Sequence, residues 1–175
     1  MALDKKLKNE LTEYLKQCGA PEPPRLRLQL FDRRASKAAQ AAEPELMCRA
    51  SPIEEIGTLI DSRDESFSEM LLRKIDELGM KDSDCYKRAN VDRKLFSKIR
   101  GDRLYRPSKP TAVAFALALR LSREETDELL KKAGFALSHS SKFDIIIEFF
   151  ISRRTYDVML VNEALYEFDQ PLLGG

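Results

Sequence analysis

Nine basic side chains fall between Cys85 and Lys109: Lys87, Arg88, Arg93, Lys94, Lys98, Arg100, Arg103, Arg106 and Lys109, against only Asp92 and Asp102. This local excess sits in a chain whose 30 Lys+Arg and 29 Asp+Glu leave a net charge of +1. The overall balance therefore names no partner. A cluster of this density has the chemistry to neutralise phosphates, and its alternative is a solvated helix face. Other candidate chemistry is thin. His139 lies among Ser138, Ser140 and Ser141, but sequence neighbours rarely reach the geometry in which a ring takes a serine proton, and no acidic residue is evident to orient it. Cys18, Cys48 and Cys85 have no paired spacing, and a single histidine leaves little for a His-based metal centre. Glycines do not gather into a phosphate loop. No enzyme, metal site or cofactor is expected.

The elements that must position the basic cluster follow from periodicity and capping. Leu3, Leu7, Leu11, Tyr14 and Leu15 recur at helical spacing and predict an amphipathic helix over 3–17, within an N-terminal segment of residues 1–19. Residues 20–50 hold four prolines, Pro21, Pro23, Pro24 and Pro44, and little apolar periodicity. The alternating stretch from Arg25 to Leu30 has no second strand-like segment to pair with, so 20–50 reads as a flexible linker. Ser51-Pro52-Ile53-Glu54 opens a short helix with a capping box. Ser66 with Glu69, and Ser122 with Glu125, mark two further helix starts.

Between those last two boxes the pattern predicts two short helices joined by a tight turn. Asp82 or Ser83 caps the first, which runs through Ala89. Asn90 takes the left-handed position that the turn needs, Val91 plugs it, and Asp92 caps the second helix. In that second helix Leu95, Phe96 and Ile99 face inward, while Arg93, Lys94, Ser97, Lys98 and Arg100 face out. A pair of this kind, basic on the outer face of its second helix, is the arrangement that docks in a major groove. The helix from Thr111 to Leu119 is apolar at nearly every position and belongs at the centre of the domain. Two more helices follow, one on Phe143, Ile146, Ile147, Phe150 and Ile151, the other on Val158, Val161, Leu165 and Phe168.

Cys85 and Tyr86, Asn90-Val91, Phe96 and Ile99, and Arg106-Pro107-Ser108 stand at landmarks of the Cro/lambda-repressor (XRE-type) helix-turn-helix family, which the stretch 64–137 resembles. The wider run from Ser66-Phe67-Ser68-Glu69 through Ala136-Leu137-Ser138-His139 to Phe168-Asp169-Gln170-Pro171 is similar to a little-characterised bacterial module found at the C-termini of otherwise unrelated proteins. That second similarity covers about residues 60–173 and implies no activity. The chain departs from the repressor family in having Tyr86 where a small residue is usual and Asn90 where glycine is. Tyr86 is expected to widen the packing of the two motif helices, and Asp92 to repel phosphate at the start of the reading helix.

The expected fold is all-α: a five-helix Cro/lambda-repressor-like domain with a preceding short helix over 51–137, two extra C-terminal helices over 138–175 packed on it, and an N-terminal helix plus linker. The resemblance implies a DNA-binding regulatory protein. Arg93, Lys94 and Ser97 would approach base edges, and Lys98, Arg100, Arg103, Arg106 and Lys109 would contact phosphates. The alternative is a protein-interaction or regulatory adaptor that keeps the fold without the DNA role. Expected partners are duplex DNA, a protein docked through the N-terminal helix and linker, and a second copy of the chain. With no apolar run of membrane length and no signal-like N-terminus, the expected location is the cytoplasm, without a membrane partner. The linker reading is checked by limited proteolysis of the full chain: the earliest cuts should fall within 20–50, and resistance of that stretch would refute it.

Overall fold

A computed structural model describes residues 4–19 and 65–174, and every regular element among them is an α-helix. The expected linker over 20–50 and the short helix from Ser51 lie outside the described residues. In chain order the helices are α1 (Lys5–Gln17), α2 (Phe67–Glu77), α3 (Asp82–Arg88), α4 (Arg93–Gly101), α5 (Lys109–Ala118), α6 (Arg123–Lys132), α7 (Lys142–Ser152) and α8 (Val158–Glu167).

Most helix starts are local events. Ser66 Oγ accepts the Glu69 N–H at 3.3 Å while Glu69 Oε2 accepts the Ser66 N–H at 2.9 Å, a complete capping box. Ser122 and Glu125 repeat it for α6 at 3.2 and 3.0 Å. Asp4, Asp92, Ser108, Ser141 and Asp157 cap α1, α4, α5, α7 and α8. The exception is α3, where the capping position is Lys81, whose side chain makes no cap bond, so neither Asp82 nor Ser83 caps it. Lysine has no acceptor to offer. Asp82 and Asp84 lie inside the first turn instead, where their charge meets the positive end of the helix dipole.

Helix ends divide into two kinds. After α1, α2 and α6 the chain turns left-handed at Gly19, Gly79 and Gly134. After α3, α5, α7 and α8 the same backbone conformation is held by Asn90, Arg120, Arg154 and Asp169, with φ of 53°, 55°, 54° and 52°. At Arg120 the turn is closed by its own N–H to Leu117 O at 3.0 Å and by Leu121 N–H to Ala116 O at 3.1 Å. An L-residue other than glycine pays of order 1–2 kcal/mol to adopt this conformation.

Two helices lie at the centre. In α5 every residue from Thr111 to Ala118 is buried, and in α7 every residue from Phe143 to Ile151 is. Around α5 pack α3, α6 and α8; around α7 pack α1, α6 and α8. Phe115 is fully buried and collects the aromatic contacts of the first half, with Phe67 at 6.5 Å and Phe96 at 6.0 Å between ring centroids. On the other side, Leu11 and Leu15 of α1 are buried, Tyr14 tilts against Phe149 at 5.3 Å, and Lys8 and Glu10 pair with Glu167 and Arg153. The first helix is thus part of the same unit as 65–174.

The last described residues are also held. Asn162 donates to Leu173 O at 3.1 Å and accepts from Leu173 N–H at 2.7 Å, and Leu173 is buried. Next to it Gly174 has φ +96°, and a Cβ there would collide with the Asn90 carbonyl oxygen. Glycine is therefore required twice at that position, by backbone conformation and by space.

If α5 is the packing centre, Phe115→Ala should lower stability by roughly 3–5 kcal/mol through lost transfer energy and a residual cavity. Denaturant melts of the full chain measure this. A loss under about 1 kcal/mol would mark Phe115 as peripheral and contradict the architecture.

Candidate nucleic-acid interface

Helix α3 ends in Ala89, which is buried, and the chain then reverses through Asn90 and Val91. Asn90 N–H donates to Lys87 O at 3.1 Å and Val91 N–H to Tyr86 O at 2.9 Å, so the turn is closed by backbone alone. Val91 is buried beneath it. Asp92 Oδ1 accepts the Lys94 N–H at 3.3 Å and starts α4. In α4, Phe96 and Ile99 are buried and Leu95 is half-buried. The Tyr86 ring lies against Phe96 of α4, 5.7 Å between centroids. That contact is the aromatic link between α3 and α4.

The outward side chains fall into three groups. Arg93, Lys94 and Ser97 are exposed on α4, and neither cation has a carboxylate partner among the described residues. Arg106 is exposed and also unpaired, and the Lys98 ammonium lies 5.2 Å above the Tyr105 ring. Arg100 pairs with Asp82, and Arg103 Nε lies 2.6 Å from Glu69 Oε1. The Glu69 carboxyl is held below its ordinary range chiefly by the Ser66 backbone N–H, with Arg103 adding to it. These two pairs are exposed, and exposed pairs exchange readily for another anion.

Lys109 differs. Its Nζ lies 2.6 Å from Oδ1 and 2.7 Å from Oδ2 of Asp144, a carboxylate at 1% exposure that also accepts the Ser138 N–H at 3.0 Å. Counted from the sequence as a phosphate contact, Lys109 instead ties the start of α5 to the first turn of α7. The reason is Asp144, whose burial demands a cation.

A groove between α3 and α4, of about 460 Å³, is lined by Tyr86, Arg93, Phe96, Ser97 and Arg100 among others. The other sequence candidates resolve locally. Ser138 and Ser140 hydroxyls bond each other at 2.7 Å, while His139 Nε2 meets Glu148 Oε2 at 2.7 Å. Glu148 also takes the Arg123 guanidinium. This carboxylate partner of His139 was not legible in the sequence, because it arrives from the second turn of α7. Burial pushes the Cys85 thiol up to about 12, so it stays protonated at neutral pH and packs as a small apolar group. Among the described residues no group of three or more His, Cys, Asp or Glu could hold a metal ion, and no helix is long and apolar enough to cross a membrane.

Compared with known proteins, the chain matches no protein-family model, no curated protein and no solved structure.

Removing the internal cation should be far more damaging than removing an outward one. Lys109→Met is expected to destabilise the protein by about 3–5 kcal/mol, because it strands a buried carboxylate, and Asp144→Asn in the same chain should recover part of the loss. Arg106→Ala should change stability by no more than about 0.5 kcal/mol. Equal small effects in urea melts would mean that the Lys109–Asp144 pair is not structural.

Proposed function

We propose that α3 and α4 act as a helix-turn-helix of the Cro/lambda-repressor type and that the protein is a DNA-binding regulator. The observation that carries this reading is the first turn of α4. Arg93 and Lys94 are exposed and have no carboxylate partner among the described residues, and Ser97 follows one turn later on the side away from Phe96 and Ile99. Forked and ammonium donors at the leading end of a helix suit base edges in a major groove. Lys98, Arg100, Arg103 and Arg106 surround that face and suit phosphates; Lys109 drops out of the set because Asp144 holds it. Asp92 works against binding, since its carboxylate caps the end of α4 nearest a docked phosphate.

A second reading, a protein-interaction adaptor, draws on a different face. Met159 and Tyr166 on α8 are 63% and 77% exposed, large apolar side chains at a spacing of two helical turns.

Duplex binding measured against salt separates the two. Under the DNA reading Arg93→Ala and Lys94→Ala reduce discrimination between sequences, whereas Arg103→Ala and Arg106→Ala weaken all duplexes about equally and flatten the salt slope by roughly one unit each. Asp92→Asn strengthens binding while keeping a capping side chain. If all five variants leave duplex affinity unchanged, the DNA reading fails and the adaptor reading leads.

A further inference from the structure

Three helix ends converge on one cleft. The C-terminal ends of α3, α5 and α7 and the start of α8 enclose about 810 Å³, within the range of roughly 300–1,000 Å³ common for small-molecule sites. Lys87, Arg88, Arg120 and Arg154 line it, all exposed and none with a carboxylate partner among the described residues. The one acid on its wall, Asp157, is occupied in capping α8, with Oδ1 accepting Met159 N–H at 2.9 Å and Leu160 N–H at 3.4 Å. Four positive charges therefore face a shared space whose one carboxylate, Asp157, leaves a clear positive excess. The remaining wall joins Leu117, Ala118, Val158, Met159 and Tyr156 with two polar residues, Asn90 and Thr155.

The backbone supplies a second, independent observation. Of the four non-glycine residues in the left-handed region, Asn90, Arg120 and Arg154 line this cleft, and only Asp169 does not. The same fold uses glycine for the same turn at Gly19, Gly79 and Gly134, away from it. Helix dipoles explain why a cation near each C-terminal end is tolerated. They do not explain why arginine occupies the strained position itself, when a lysine or arginine one turn earlier would serve the dipole and leave the turn to glycine. Strain kept at a concave cluster of matched charge is the mark of a site.

We propose that this cleft binds a small ligand of the nucleotide type, with two or more phosphates held by Lys87, Arg88, Arg120 and Arg154 and a ring set against Tyr156 and Met159. Guanidinium forks match phosphate oxygens two at a time, and an apolar wall beside them takes a flat group. Binding would bear directly on the α3–α4 turn, because Asn90 lines the cleft and carries the contact with Gly174. The site does not depend on α4 reading DNA.

The test is calorimetric titration of the full chain with ADP and with inorganic pyrophosphate, in about 50 mM salt so that charge is little screened. Saturable binding of both is expected, ADP the tighter. The double variant R120N/R154N should lose about tenfold or more in affinity for each, with an unchanged melting temperature, because asparagine accepts the left-handed backbone. Tyr156→Ala should bring ADP down to the level of pyrophosphate and leave pyrophosphate alone. Lys87→Gln, outside the strained turns, should also weaken both ligands, which keeps the test decisive even where the arginine pair disturbs the fold. The proposal is overturned if neither probe saturates, or if both bind equally well to R120N/R154N and Lys87→Gln. It is also overturned if the double variant weakens only duplex DNA, which would make the cleft a stretch of phosphate track.

Discussion

A helix that is apolar on every side cannot touch water anywhere, and α5 is such a helix. From Thr111 to Ala118 its largest side chains are Phe115 and Leu117, and alanines fill much of the rest. The hydrophobic penalty for exposing any face of it forces neighbours all around, and the small alanines let those neighbours come close. Helices α3, α6 and α8 meet that demand, and α4 reaches it through Phe96. The position of the basic α4 is thus a by-product of the need to cover Phe115. Helix α7 imposes the same constraint a second time, with a difference: two of its buried residues are carboxylates, Asp144 and Glu148. Each must find a positive or donating partner, and each does, in Lys109 and in Arg123 with His139, whose own side chains stay partly exposed.

This second demand changes what the charge of the chain means. Counted along the sequence, the stretch from Cys85 to Lys109 is one basic block. In three dimensions it separates into a tie to buried Asp144 at Lys109, exposed pairs at Arg100 and Arg103, and cations at Arg93, Lys94 and Arg106 that have no carboxylate partner among the described residues. Lys87 and Arg88 line a cleft with Arg120 and Arg154, and Lys87 also borders a hollow that includes Arg93. Electrostatic footprint and sequence cluster overlap without coinciding.

The legible features of the sequence were the local ones. Ser66 with Glu69 and Ser122 with Glu125 signal helix starts because both partners sit within one turn, and the buried stripe of α5 is visible because it has no polar break. The α3 start differs from its sequence pattern because aspartate and serine at 82 and 83 resemble caps, while the chain places Lys81 in that role and the acids within the first turn. What periodicity cannot carry is long-range pairing. Lys109 and Asp144 are 35 residues apart, and Arg123 and Glu148 are 25 apart. Nothing in a local window distinguishes a lysine bound for the interior from one bound for solvent. The cleft at Arg120 and Arg154 is hidden from a local window for the same reason, and its one local trace is an arginine standing where a helix end favours glycine.

The seating of α1 has a consequence for how the chain assembles as it is made. Its ion pairs reach Arg153 and Glu167, 143 and 159 residues further along. A helix of 13 residues has little stability on its own in water. During synthesis, Leu11 and Leu15 therefore have no native shelter until α7, far along the chain, has emerged. Closure of such distant contacts is a slow, late event that raises contact order and lengthens the exposure of an adhesive surface. A chaperone that holds nascent apolar helices would find a long-lived target in α1, and a late folding step would be the capture of α1 by α7 and α8.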